Sequence, residues 1–146
     1  ALFQAVRACN TTELNDFALR LKALESFQQS DAAAALTEAN KRVHNILAKG
    51  TQTLEIGRVQ PHLLQEKAEK QLAQAIHQQE AAIAPLLAAK NYGAVLQSLA
   101  QLREPIDAFF NTVMVMVNDT EIKHNRLALL NALKSLFLQV ADLTQL

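Results

Sequence analysis

The sequence of 146 residues contains one cysteine, three prolines, three glycines and no tryptophan. A single thiol, Cys9, excludes an internal disulfide framework and fits a reducing compartment. Gly50, Gly57 and Gly93 stand too far apart for a glycine-rich phosphate loop. Neither sign of charge is in excess, with Lys plus Arg and Asp plus Glu at 14 each and a formal net charge of zero. That balance excludes a general polyanion binder, whose signature is a large basic surplus. No apolar run approaches the ~20 residues of a membrane span, so no membrane partner is expected. The histidines at 44, 62, 77 and 124 lack partners at metal-ligand spacing, so no metal site is expected. No nucleophile, base and phosphate cradle come together in the sequence, and no catalytic residue is nominated. There is no signal peptide and no initiator methionine. The opening Ala1-Leu2-Phe3 is apolar, which predicts a piece cut from a longer protein.

What the chain does have is leucine and alanine. Half of its residues are apolar, with only six Phe and one Tyr among the aromatics. This is the composition of an all-α protein, and the length suits one domain, 1–146, with a real core. The signals along the chain predict about six to seven helices. Residues 2–9 read as the end of a helix begun upstream. Asn10-Thr11-Thr12-Glu13 has the form of a capping box, opening a helix to about Gln28 with Leu14, Phe17, Leu21, Leu24 and Phe27 inward. Ser30 or Asp31 opens the next, holding Leu36, Val43, Ile46 and Leu47, with Gly50 as a left-handed terminator. Residues 51–60 read as a loop. Pro61 opens a long helix that Pro85 should kink or break. A turn at Lys90-Asn91 leads to a helix from about Tyr92 to Leu102. Pro105 sits in the first turn of the one after. Asn118 or Asp119 opens a last helix of about 25 residues, roughly 37 Å long.

The stretch Val113-Met114-Val115-Met116-Val117 alternates like a strand. A lone strand needs a partner, and 51–59, with Gly57 and its charges, is a poor one. On a helical period Ile106, Phe109, Phe110, Val113, Met114 and Val117 form one buried stripe. The expectation is therefore a central helix over 106–117. Asp107, beside the aromatic pair, is expected to pair with Arg103 or Arg126, and Glu66 with Lys70.

Two polar runs inside these helices carry the functional expectation. In "ANKRVHNILAK", 39–49, Lys41, Asn45 and Lys49 share one face and Arg42 the adjoining flank. In "IKHNRLALL", 122–130, Lys123, Asn125 and Arg126 lie near a helix start. Lysines reach phosphates, and arginine and asparagine reach base edges, so both runs are candidate nucleic-acid contacts. The alternative is a solvated face for the first run and capping with an ion pair for the second.

The stretches "DFALRLKALESF" (16–27), "AAAALTEANKRVHNILAK" (32–49), "LREPIDAFFNTVMVMVNDTEIKHNRLALL" (102–130) and "LFLQVADLTQL" (136–146) bear a resemblance. In order and spacing, over nearly the whole chain, they resemble the C-terminal end of the β subunit of two-subunit bacterial glycyl-tRNA synthetases. That region belongs with the DALR-type anticodon-binding domains, helical bundles shared with arginyl- and cysteinyl-tRNA synthetases. The motif behind the family's name is altered here, since "DFALR" carries Phe17 as an insertion.

The resemblance implies a tRNA-binding module supporting glycyl-tRNA formation, itself without catalytic residues. It implies glycine tRNA and the synthetase α subunit as partners, and a cytoplasmic location. It implies ATP as a substrate of the whole enzyme and no cofactor in this piece. It also implies that the chain ends near a natural C-terminus. An anticodon loop presents unstacked bases, read by stacking and edge hydrogen bonds, so a neutral domain is compatible with the role. The other reading is an architectural bundle that docks within the synthetase without touching the anticodon.

Overall fold

The computed structural model describes residues 14–50 and 57–141, together with Leu2 and Gln4. Of the helix end expected over 2–9 only Leu2 and Gln4 are described, both helical, and the capping box at 10–13 and most of the loop at 51–60 lie outside the described residues. Among the described residues there are six α-helices, two short 3-10 turns and no strand. The helices are α1 (Leu14–Gln28), α2 (Asp31–Gly50), α3 (Lys67–Ala88), α4 (Tyr92–Leu99), α5 (Arg103–Thr112) and α6 (Thr120–Leu138). The 3-10 turns are Pro61–Leu63 and Ala100–Leu102, the second joining α4 directly to α5.

Each helix turns an apolar stripe to one shared core. Leu24 and Phe27 come from α1, Leu36, Val43 and Leu47 from α2, and Leu72, Ile76 and Ile83 from α3. Val95, Leu96 and Leu99 of α4 and Ile106 and Phe109 of α5 complete it against α6, whose run Leu127 to Leu130 is buried throughout. Helix α1 packs on α4, α2 on α6, and α3 on both α4 and α5. A helix buried on most of its surface does sit at the centre, but it is α6 and not 106–117.

The expected central helix ends early. Helix α5 stops at Thr112, and the chain then runs extended, with Val113 at φ −111° and ψ 127°. Val113 and Val115 are buried while Met114 is 70% and Met116 47% exposed. The alternation in the sequence is thus an in-and-out alternation of burial, on a chain that is extended at Val113 and bends at Val115 and Met116. It does not need a ladder, because Arg126 donates from Nη1 to the carbonyl of Met114 and Val117 N bonds Val115 O at 3.0 Å. Two neighbours such as Val115 and Met116, both apolar, cannot decide between the two periods alone.

Other ends also differ from expectation. Pro61 opens only a 3-10 turn. Helix α3 begins at Lys67 behind a Glu66–Glu69 capping box, in which Glu66 N donates to Glu69 Oε1 at 3.1 Å. That box uses glutamate where the sequence reading sought a short hydroxyl or amide cap. Pro85 does not break α3, which continues to Ala88. It lies in the last turn and is exposed, so its missing N–H leaves a carbonyl that water can reach. Gly50 is not left-handed, since no described glycine has a positive φ. A Cβ there would lie 2.7 Å from Leu127 Cδ2, so its smallness lets α2 close on α6. Among the described residues the left-handed one is Lys90, at φ 56°, in the expected turn after α3. Ser30 donates to Phe27 O at 2.7 Å and closes α1. Asp119 caps α6, accepting from Glu121 N at 3.1 Å and Ile122 N at 3.2 Å.

Candidate nucleic-acid interface

Helix α2 buries Ala39, Val43 and Leu47, which forces the residues between them outward. Arg42, Asn45 and Lys49 are exposed and Lys41 is half-buried. Opposite stands α5, where Phe109 and Phe110 are adjacent and so about 100° apart around the axis. Only one of them can enter the core. Phe109 does, fully buried, and meets Phe110 edge-on at 5.6 Å between centroids. Phe110 is left on the rim, and the Arg42 guanidinium lies over its ring at 4.3 Å from the centroid.

Between α2 and α5 runs an open groove of about 600 Å³. Lys41, Arg42, Asn45 and Lys49 all line it, with Asp107, Phe110 and Asn111 on the facing side. A second hollow of about 440 Å³ shares Arg42, Ile46, Phe110 and Asn111 with the first and extends along Val113 to Met116. The two form one surface. It has an arginine stacked on an aromatic at its middle, lysines and Asn45 along one side, and two exposed methionines at its end. Such a surface can stack a flat ring on the guanidinium, hydrogen-bond its edge through Asn45 or Asn111, and hold a phosphate with Lys41 or Lys49.

The second polar run has a different fate. Lys123 is half-buried and is not among the side chains lining the groove. Asn125 is 3% exposed, with Oδ1 accepting from Gln60 N at 2.6 Å and Nδ2 donating to Gln60 O at 3.2 Å. It ties the segment before Pro61 to α6. Arg126 is 5% exposed and donates from Nη2 to Oε1 of the fully buried Glu69 at 2.8 Å. Its partner is therefore Glu69, not Asp107, which is exposed on α5. Asn125 and Arg126 are corrected from surface contacts to internal ties, because α6 is enclosed where the sequence reading left it open on one side.

A second polar centre, unforeseen in the sequence, joins α1, α4 and the end of α6. Tyr92 donates its hydroxyl to Asp16 Oδ1, and Arg20 Nε donates to Asp16 Oδ2 at 2.9 Å. Arg20 also donates to the carbonyls of Gln139 and Val140 at 2.8 and 2.9 Å, and its guanidinium lies 4.6 Å from the Tyr92 ring centroid. Burial would raise the Asp16 carboxyl, but the Tyr92 and Arg20 hydrogen bonds outweigh it and hold the group below its ordinary value. Burial, then the Asp16 hydrogen bond, pushes the Tyr92 phenol up. The first and last letters of "DFALR" thus serve the fold.

Comparison with known proteins bears on this surface. Residues 36–144 match the DALR anticodon binding domain family, and the chain belongs to that family. The match takes in every polar and aromatic side chain of the groove and begins after "DFALR". Relatives include the glycine–tRNA ligase beta subunit of Aeromonas salmonicida, 54% identical over 142 residues. The beta subunits of Aliivibrio fischeri (strain MJ11) and Chromohalobacter salexigens are 50% and 48% identical over 147 and 149 residues. These matches cover 97% to 99% of the chain but only 20% to 21% of each relative, so the chain spans about a fifth of their length.

Proposed function

We propose that this chain is the anticodon-binding module of a glycyl-tRNA synthetase β subunit, and that the groove between α2 and α5 receives the anticodon loop. The observation that carries the reading is the Arg42–Phe110 stack flanked by Lys41, Asn45 and Lys49, inside the family-matched stretch. The chain, 1–146, is a single all-helical domain of the type found in arginyl- and cysteinyl-tRNA synthetases, a piece of a longer protein. It binds glycine tRNA in the cytoplasm, in a hetero-oligomer with the α subunit. ATP and glycine are handled elsewhere in the enzyme, and this piece holds no cofactor and performs no chemistry. Lys123 remains a peripheral phosphate contact.

The test is glycine tRNA binding by the whole enzyme over a range of salt concentrations. Substituting Lys41 and Arg42 together with Glu weakens binding and flattens the salt slope by about two. An unchanged affinity and slope in the folded double variant rejects the groove.

The exposed Met114 and Met116 favour a second reading, in which this surface docks on another part of the synthetase. Docking through the methionines is insensitive to salt and is lost on Met114→Lys. Binding of RNA by the groove is salt-sensitive and tolerates that change.

A further inference from the structure

We infer that Asp107 discriminates among bases in this groove by accepting a hydrogen bond from an exocyclic amine, so that an amino-bearing base is preferred to one with a carbonyl at that place. The inference rests on the RNA-binding reading above and specifies which base edge the groove takes.

A cleft built only to hold backbone phosphates would exclude carboxylates, since each repels the ligand. This one places Asp107 on the wall facing Lys41, Arg42 and Lys49. Asp107 is exposed and, among the described residues, makes no hydrogen bond or ion pair, although Arg103 lies four residues before it on the same helix. Its carboxylate is free to meet a ligand. It also stands one helical turn before Phe110, and so on the same side of α5 as the ring that carries Arg42. A base laid on the outer face of the Arg42 guanidinium can present an edge to that wall, since both line the same groove. A carboxylate only accepts hydrogen bonds, so it pairs with the amine of cytosine or adenine. Uracil and hypoxanthine present a carbonyl at that place, and two acceptors then face each other. Glu38 also lines the groove and, among the described residues, is likewise exposed and without an ion pair, but it lies on α2 beside the cations and not on the wall that carries Phe110. It serves as the control.

The experiment uses the whole enzyme and a glycine-tRNA anticodon stem-loop. Each loop cytosine is replaced in turn by uracil, and each adenine by inosine. For the unaltered enzyme, at least one replacement weakens binding about tenfold. In Asp107→Asn the same replacement costs less than twofold, because a side-chain amide turns over to donate as readily as it accepts. Glu38→Gln keeps the tenfold preference. A tenfold preference that persists in Asp107→Asn, or no replacement that costs the unaltered enzyme anything, overturns the inference. Loss of the preference in Glu38→Gln alone does the same. Failure of the unaltered enzyme to bind the stem-loop, or unchanged binding after Lys41→Glu with Arg42→Glu, rejects the RNA-binding reading, and the inference falls with it.

Discussion

Arg126 carries its charge into the core because Glu69 and the Met114 carbonyl meet it there. Removing one member of a buried pair strands the other, which typically costs about 3–5 kcal/mol. Arg126→Ala should therefore lower the urea midpoint sharply, and Glu69→Ala by a comparable amount. A change in either of only a few tenths of a kcal/mol would show that water reaches the pair. The Asp16–Arg20–Tyr92 centre gives a pH dependence at both ends. The Asp16 carboxyl is held below 3.8, so its contribution is present above that value and is lost as pH falls through the lowered one. The Tyr92 phenol is raised above 10.0, so its contribution is complete below pH 10 and is lost as pH rises through the raised value. Tyr92→Phe should abolish the alkaline loss and shrink the acid one, as read from melting temperature against pH. An alkaline loss that persists in this variant would move its origin elsewhere.

Among the elements, the stretch 113–117 is the instructive case. Its alternation was legible in the sequence, but the helical period outweighs it there and predicts a central helix over 106–117. The helix instead stops at Thr112, and the alternation is one of burial. What the letters did not carry was the support, a side chain thirteen residues on from Val113 bonding to a main-chain carbonyl. The mutational expectation follows the exposure pattern. Met114→Asp should change stability by about 0.5 kcal/mol or less, whereas Val115→Asp should cost several kcal/mol by burying an unpaired charge. Equal losses from both, in chemical denaturation, would restore a buried helix. Gly50 teaches the same lesson for packing. Its place at a helix end was readable, but its reason is Leu127, far away in sequence. Gly50→Ala should destabilise by about 1–3 kcal/mol through overpacking, visible as a lower melting temperature. A rise instead would mean that Leu127 yields readily. Helix starts at Asp119 and Lys90-Asn91 were legible because caps and turns are local chemistry, while the Glu66 cap was not, glutamate being uncommon there.

For the whole molecule, the functional surface was half legible. The spacing of Lys41, Asn45 and Lys49 placed them together on α2, and the groove lies there. Phe110 and Asp107 on the facing wall were hidden because nothing local to α5 states which helix it will oppose. Asn125 and Arg126 misled because a polar residue near a helix start looks the same whether it faces water or a buried partner. The central claim is that the anticodon loop lies between α2 and α5. Its most direct measurement is photo-crosslinking of the whole enzyme with glycine tRNA carrying a photoreactive pyrimidine in the anticodon loop, followed by peptide mapping. The account predicts crosslinks to residues 38–49 and 107–116, reduced by Lys41→Glu with Arg42→Glu. Efficient crosslinks confined to other parts of the enzyme, with none in these two segments, would contradict it.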